Sequence, residues 1–72
     1  MLKLRVRELL KERNKTPYWL NKQLGMSFQN FNNMIDNKTS SIQYKNIEAM
    51  CVIFNITPNE LFDFNFNEPE QK

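Results

Sequence analysis

The chain has 72 residues, of which 40% are hydrophobic and 25% charged, and its formal net charge is +2. It contains no histidine, one glycine and one cysteine, Cys51, which excludes Ser-His-Asp and Cys-His catalysis, a zinc-ligand set, an internal disulfide and a glycine-rich phosphate loop. We therefore expect a protein that is not an enzyme and that binds no cofactor, metal or small-molecule substrate. Because no apolar run approaches the roughly 18 residues of a membrane span and no signal-peptide pattern opens the chain, we also expect a cytoplasmic protein with no membrane partner.

The charges are distributed unevenly along the chain. Residues 1–45 carry nine Lys and Arg against three acidic residues, a net charge of +6, whereas residues 46–72 carry one against five, a net charge of −4. A basic first part suits a polyanion such as nucleic acid. The same charges are also compatible with an ordinary solvated helix face, and charge alone leaves both interpretations open.

Two helices are predicted in the first third of the chain. LKLRVRELLKERN has apolar residues at helical spacing with Lys and Arg between them, which predicts a first helix that begins near Leu2. In TPYWLNKQLG, Thr16 is a favourable N-cap, Pro17 suits the first helical position and Gly25 suits the left-handed position after a helix. The second helix is therefore expected from about Pro17 to Leu24.

A third helix is predicted immediately afterwards, from about Phe28 to Ile35, with Ser27 as its N-cap. Helices joined so closely cannot lie antiparallel, and they cross at the steep angle of a helix-turn-helix. Four residues are expected on the inner face of this pair: Leu20, Leu24, Phe31 and Met34. Five are expected to face outward or sideways: Phe28, Gln29, Asn30, Asn32 and Asn33.

Two more helices follow the polar segment DNKTSS. IQYKNIEAMCVIF predicts a fourth helix capped by Gln43, with Ile42 and Ile47 as a hydrophobic staple. TPNELF predicts a short fifth helix that begins with a capping box of Thr57 and Glu60. These signals together predict a compact all-α domain of five helices.

The end of the chain has a different pattern. Phe62, Phe64 and Phe66 alternate with polar residues, which would place three aromatic rings on one side of an extended segment. One interpretation is a domain of residues 1–63 followed by a flexible tail of residues 64–72. The other interpretation is that this aromatic strip pairs with a second subunit or with another partner.

The helix signals described above, in their order and spacing, resemble those of the lambda-repressor-like (Cro/CI-type, XRE) helix-turn-helix domains. The resemblance extends from about Leu4 to Phe62 and includes I..MC..FNITPNEL near the end. Its other specific positions are Thr16, Leu20, Leu24, Gly25, Ser27, Phe31 and Met34. The resemblance implies a transcriptional regulator whose third helix lies in the major groove of double-stranded DNA. The small size is typical of a genetic switch from a phage or another mobile element.

The resemblance also implies which residues contact DNA. The base-reading residues would be Phe28, Gln29, Asn30 and Asn33. Gln and Asn can make paired hydrogen bonds to adenine, and an aromatic ring can pack on a thymine methyl, although a solvated helix face is the alternative interpretation. The residues that contact phosphates would be Lys15, Thr16, Lys22, Asn37, Lys38 and Lys45. Arg5 and Arg7 would also attract the phosphate backbone of the DNA.

Several residues depart from the family pattern. Asn21 occupies a position that is usually a small alanine, so its side chain must find a hydrogen bond or face water. Pro17 has no N–H to offer a phosphate, and the carboxylate of Asp36 would repel one. The third helix has no Lys or Arg.

Aromatic residues suggest a second kind of surface. Tyr18 and Trp19 cannot both be buried on a helix whose inner face already holds two leucines, and exposed aromatics are typical of protein interfaces. The candidate interface residues are Tyr18, Trp19, Phe28, Phe62, Phe64 and Phe66. They would serve either a homodimer of a DNA-binding repressor, formed by the fifth helix and the phenylalanine tail, or an antirepressor that binds a partner repressor and blocks its DNA binding.

Overall fold

The computed structural model describes residues 2–64. Its elements are, in chain order, β1 (Leu2–Leu4), α1 (Val6–Glu12), α2 (Pro17–Leu24), α3 (Phe28–Ile35), α4 (Tyr44–Phe54), α5 (Pro58–Leu61) and β2 (Phe62–Phe64). The five predicted helices are present, and α2 and α3 have the predicted bounds. The helix-turn-helix formed by α2 and α3 is confirmed.

The helix bounds follow from local capping contacts. The Thr16 hydroxyl accepts a hydrogen bond from the backbone N–H of Trp19 at 3.1 Å, and the Ser27 hydroxyl accepts one from that of Asn30 at 3.3 Å. These contacts satisfy N–H groups that the first turn of a helix leaves unpaired. At the start of α5 the predicted capping box is present.

Left-handed residues follow four of the helices. Gly25 after α2 has the predicted positive φ, 76°. Asn14, Asn37 and Asn55 take φ values of 61°, 63° and 58° after α1, α3 and α4. Asparagine tolerates this conformation better than other residues with a Cβ. Three of the chain's eleven asparagines are therefore explained by helix termination.

A short antiparallel sheet joins the two ends of the described chain. Leu2 lies opposite Phe64, and Leu4 lies opposite Phe62. The prediction that the first helix begins near Leu2 was wrong, because Leu2–Leu4 is extended and the backbone N–H of Arg5 donates to the carbonyl of Leu61 at 2.8 Å. The all-α class is therefore approximate.

The alternation of phenylalanines did indicate an extended segment, and within the described residues this segment pairs with the chain's own β1. Phe66 lies outside the described residues. The predicted boundary between residues 63 and 64, and a pairing of this strip with a second subunit, stay predictions.

The hydrophobic core contains side chains from all five helices and from β1. Its buried residues are Leu4, Val6, Leu9, Leu10, Leu20, Phe31, Met34, Ile35, Met50, Phe54 and Leu61. Three of the four residues predicted for the inner face of the helix-turn-helix are among them, and Leu24 is half-buried. No polar or charged side chain is buried within residues 2–64. The polar residues of α3 are consequently left at or near the surface.

Candidate nucleic-acid interface

The turn between α2 and α3 is closed by the side chain of Asn21. Its amide nitrogen donates to the carbonyl of Met26 at 2.9 Å, and its Oδ1 accepts from the backbone N–H of Met26 at 3.1 Å. Of the two outcomes expected for Asn21, a hydrogen bond or exposure to water, the structure shows the hydrogen bond. Because the amide uses both of its ends on one residue, it holds the start of α3 in a defined position relative to α2.

The outward face of α3 presents amide groups without charge. Gln29 and Asn30 are exposed, and Asn33 is half-buried. None of these three side chains makes a hydrogen bond with another residue in the described part of the chain. Phe28 is 51% exposed, and its ring stacks on the buried ring of Phe31 with 6.1 Å between centroids. Side-chain amides that have no partner within the described residues, on a helix whose inner face packs on the core, are suited to hydrogen bonding with an external ligand.

One groove brings predicted base-reading and phosphate-contacting residues together. Asn30, Asn33 and Lys45 line it together with Ser27 and Gln43. It lies between α3 and the beginning of α4, which explains why Lys45 is close to α3 although it is twelve residues beyond Asn33 in the chain. The amides and the ammonium group can thus approach neighbouring parts of one ligand.

A second groove lies at the beginning of α2. It is lined by the predicted phosphate contacts Lys15 and Thr16, and also by Arg7, Lys11 and Asn14. Lys11 was not among the predicted phosphate contacts, although it lines the same groove. The spacing of Arg7 and Lys11, four residues apart on one helix, could have indicated that both face this side.

Lys15 is held over an aromatic ring. Its ammonium nitrogen lies 5.0 Å from the centroid of the Trp19 ring, within the range of a cation–π interaction. The Trp19 ring itself is half-buried and packs against Phe54 with 6.4 Å between centroids. Tyr18, by contrast, is 67% exposed. The expectation that these two aromatics cannot both be buried is confirmed, and Trp19 is the one that covers the core.

Lys15, Lys22, Lys38 and Lys45 form what we call the cationic rim. All four are exposed, and none forms an ion pair with another residue within residues 2–64. Asn37 is engaged differently, because its side chain accepts from the backbone N–H of Leu4 at 2.7 Å and donates to the Leu4 carbonyl at 3.4 Å. Its amide therefore holds β1 in place.

Asp36 forms an ion pair with Arg7, with 2.6 Å between Oδ1 and Nε. This hydrogen bond, together with the positive charges of Arg7 and Lys38, lowers the pKa of Asp36 below its ordinary value, although partial desolvation opposes the shift. The carboxylate is therefore ionised at neutral pH, and its charge is compensated by Arg7. Arg5 is likewise occupied, by Glu8 at 3.1 Å and by the carbonyl of Glu60 at 2.8 Å.

Exposed aromatic rings lie beside α3. Tyr18 and Phe28 line a groove with Asn21, Lys22 and Met26, which we call the aromatic groove. At the sheet, Phe62 is half-buried and Phe64 is 52% exposed. The predicted interface residues are thus divided between the helix-turn-helix and the sheet.

The comparisons with known proteins agree with this geometry. The model of the Cro/C1-type HTH DNA-binding domain matches residues 5–67. The chain belongs to the Cro/C1-type helix-turn-helix family. Membership in this family identifies the protein as a DNA-binding regulator, and it confirms the resemblance that the sequence indicated.

A crystal structure from Bacteroides fragilis, of a protein described as a candidate DNA-binding protein, is similar to this Cro/C1-type domain. Its TM-score is 0.75 at 24% sequence identity, over 88% of this chain and 100% of that one. This similarity shows the shared fold. A comparison with curated protein sequences found no match.

Three further findings on this Cro/C1-type domain concern metal ligands, the cysteine thiol and helix length. No group of three or more His, Cys, Asp or Glu residues that could hold a metal ion occurs among the described residues. Cys51 is a free, half-buried thiol, and burial raises its pKa, which makes it a poorer nucleophile at neutral pH. No helix in the described part of the chain has the length and apolar character to cross a membrane.

Proposed function

We propose that this protein is a sequence-specific transcriptional regulator that inserts α3 into the major groove of operator DNA, as part of a phage or mobile-element genetic switch in the cytoplasm. The observation that carries the proposal is the set of unengaged amides of Gln29, Asn30 and Asn33 on the outward face of α3. A solvated helix face would also carry polar side chains, and the selection experiment below distinguishes the two interpretations.

The α3 side chains would read bases directly. The amides of Gln29, Asn30 and Asn33 can each donate to N7 and accept from N6 of an adenine, and each good pair would contribute about 1–3 kcal/mol of discrimination. Phe28, whose ring is supported by Phe31, would pack on a thymine methyl. We therefore expect an operator that is rich in A·T pairs.

The cationic rim would hold the phosphates. Lys15 and Thr16 precede α2, Lys22 lies in α2, Lys38 follows α3, and Lys45 lies in the first turn of α4. Asn37 would contribute through its main chain, since its amide is bonded to Leu4. With about four lysine contacts, we expect the logarithm of the binding constant to fall with the logarithm of the salt concentration with a slope of roughly −3 to −4.

The regulator would act as a homodimer. One short helix and four lysines give too little affinity for a useful switch, whereas two copies on two half-sites combine their contacts. The interface would come from α5 and the phenylalanines of the terminal strip, which include Phe62 and the 52% exposed Phe64.

The first test is a selection from a random-sequence duplex pool at low salt, about 50 mM, followed by sequencing of the bound fraction. The proposal expects an enriched A·T-rich site with two half-sites about one helical turn apart. Half-sites would also support the homodimer. Weak, salt-sensitive binding without any enriched sequence would contradict base reading by α3.

A second candidate function is supported by the aromatic groove. Tyr18 and Phe28 are exposed beside a helix that has no charged residue, and this composition suits a protein surface better than a phosphate backbone. In this candidate, the groove would bind a partner repressor and block its DNA binding. Loss of a repressor complex in a folded Tyr18→Ala variant, with DNA affinity unchanged, would favour this function over direct DNA reading.

A further inference from the structure

The ion pair between Arg7 and Asp36 is not explained by base reading. Asp36 is the C-cap of α3, where a negative charge is unfavourable because the carbonyl end of a helix is itself negative. The carboxylate also lies next to Asn37 and Lys38, which are proposed to approach phosphates. Neither the stability of α3 nor attraction to DNA accounts for an acidic residue at this position.

The other two arginines in this part of the chain, Arg5 and Arg13, lie at the two ends of α1 and bind main-chain carbonyls. Arg5 donates to the main-chain carbonyl of Glu60 at 2.8 Å. Arg13 donates to the main-chain carbonyl of Phe54 at 2.5 Å, and its guanidinium carbon lies 5.2 Å from the centroid of that ring. Both arginines therefore connect the N-terminal part to the C-terminal helices. Within residues 2–64, the hydrogen bond of Arg7 goes to Asp36 instead.

Arg7 lies on the side of the molecule that is proposed to face phosphates. It lines the same groove as Lys11, Lys15 and Thr16 at the beginning of α2, and its side chain is 51% exposed. A guanidinium group binds carboxylate and phosphate with the same planar set of N–H donors. Asp36 therefore occupies a donor that a DNA phosphate could use.

We propose that Asp36 restrains Arg7 by acting as an internal substitute for a DNA phosphate, which makes Asp36 a positioning residue for DNA binding. The inference rests on the proposed DNA-binding function. The restraint lowers the affinity for DNA of every sequence and leaves discrimination to the amides of α3. Because the specific and nonspecific affinities fall by the same factor, their ratio is unchanged, and the restraint lowers the fraction of the protein that is bound to DNA of any sequence.

The test is the Asp36→Asn substitution in the full chain. Affinity for a short fluorescent duplex of mixed sequence is measured at salt concentrations from about 50 to about 200 mM. Release of Arg7 adds one phosphate contact, so we expect the salt slope to become steeper by about 0.9 and the affinity at the lower salt to rise about threefold to tenfold.

Two further variants separate the restraint from a general charge effect. Glu8→Gln changes the net charge by the same amount and breaks an arginine–carboxylate contact, but Arg5 stays bound to the Glu60 carbonyl and near Glu12. We expect its slope to equal that of the wild type. In Arg7→Gln/Asp36→Asn the steeper slope should be lost. A steeper slope that persists without Arg7, or that Glu8→Gln reproduces, would overturn the proposal.

Folding of every variant is followed by Trp19 fluorescence and circular dichroism, and Asp36→Ser is a second neutral variant in case Asp36→Asn does not fold. Salt-dependent binding by the wild type, with an unchanged slope in the folded neutral variant, would overturn the restraint alone. A folded wild type without salt-dependent binding to any duplex would overturn the DNA-binding function and the restraint together.

Discussion

The candidate interface combines two regions of different chemistry, α3 and the cationic rim. α3 has the sequence FQNFNNMI and no charged residue, whereas the four rim lysines lie on the elements around it. Amides on a helix can distinguish base edges but attract a phosphate backbone only weakly, and lysines attract the backbone without reading sequence. Specificity and affinity are thus expected to reside in different residues, which can be changed separately.

The largest effect should come from removing the support beneath α3. Phe31 is fully buried and its ring stacks on Phe28, so Phe31→Ala should lower the free energy of unfolding by about 3–5 kcal/mol. Specificity and affinity would then be lost together. Urea denaturation followed by circular dichroism measures the effect, and Phe28→Ala is the control, since its half-exposed ring should contribute much less. Equal losses in both variants would contradict this account.

The double variant Gln29→Ala/Asn33→Ala should remove specificity alone. Each lost pair of hydrogen bonds should reduce discrimination between bases by about 1–3 kcal/mol, while the salt slope stays unchanged because no cation is removed. Competition between the selected site and a scrambled duplex measures this difference. Gln23→Ala, which removes an exposed amide of α2 outside the proposed base-reading and dimer surfaces, is the control. Selectivity that survives the double substitution would remove the base-reading assignment.

Asn21→Ala should disturb the position of α3 relative to α2. The variant loses two hydrogen bonds to Met26, each with a net value of about 0.5–1.5 kcal/mol, and it leaves groups at the turn without their protein partner. We expect a lower free energy of unfolding and weaker binding to the selected site. Gln23→Ala, at an exposed position of the same helix, should have a smaller effect on both. A destabilised variant with full specific affinity would show that Asn21 is structural only.

Changes in the rim should lower affinity without changing specificity. Lys38→Gln and Lys45→Gln should each reduce the magnitude of the salt slope by about 0.9 and weaken binding to specific and mixed duplexes alike. Lys3→Gln, on β1, is the matched control for charge. Lys45 is the most stringent case, because it shares a groove with Asn30 and Asn33. If Lys45→Gln changed the selected sequence, the assignment of specificity to α3 and of affinity to the rim would be wrong.

The smallest expected effect is the contribution of Asp36 to the pH dependence of folding stability. Arg7 and Lys38 lower its pKa in the folded state below the ordinary value of 3.8, so the ionised carboxylate stabilises the fold at pH values above 3.8. This contribution is lost as the pH falls through the lowered pKa. Acid unfolding followed by Trp19 fluorescence should therefore be less steep in Asp36→Asn than in the wild type. Identical acid transitions would contradict the ion pair in solution.

Part of the candidate site could be predicted from local sequence. Thr16 and Gly25 determine where α2 begins and ends, and Ser27 determines where α3 begins. The outward position of Gln29 and Asn30 follows from helical periodicity once Phe31 is inside. The placement of Asn33 and Lys45 along one groove could not be predicted in this way. It depends on how α4 packs on α3.

The sequence by itself determined that there are five helices, because most of their ends are set by contacts that span only a few residues, such as the bond from the Trp19 N–H to Thr16 three positions earlier. The start of α1 is an exception, since the N–H of Arg5 donates to the distant carbonyl of Leu61. Only the tertiary structure decided the sheet between Leu2–Leu4 and Phe62–Phe64, the pairing of Arg7 with Asp36 and the bonds of Asn37 to Leu4. These contacts join residues 29 or more positions apart. Their formation depends on the packing of the whole core, which brings such distant residues together, and no local pattern of residues specifies it.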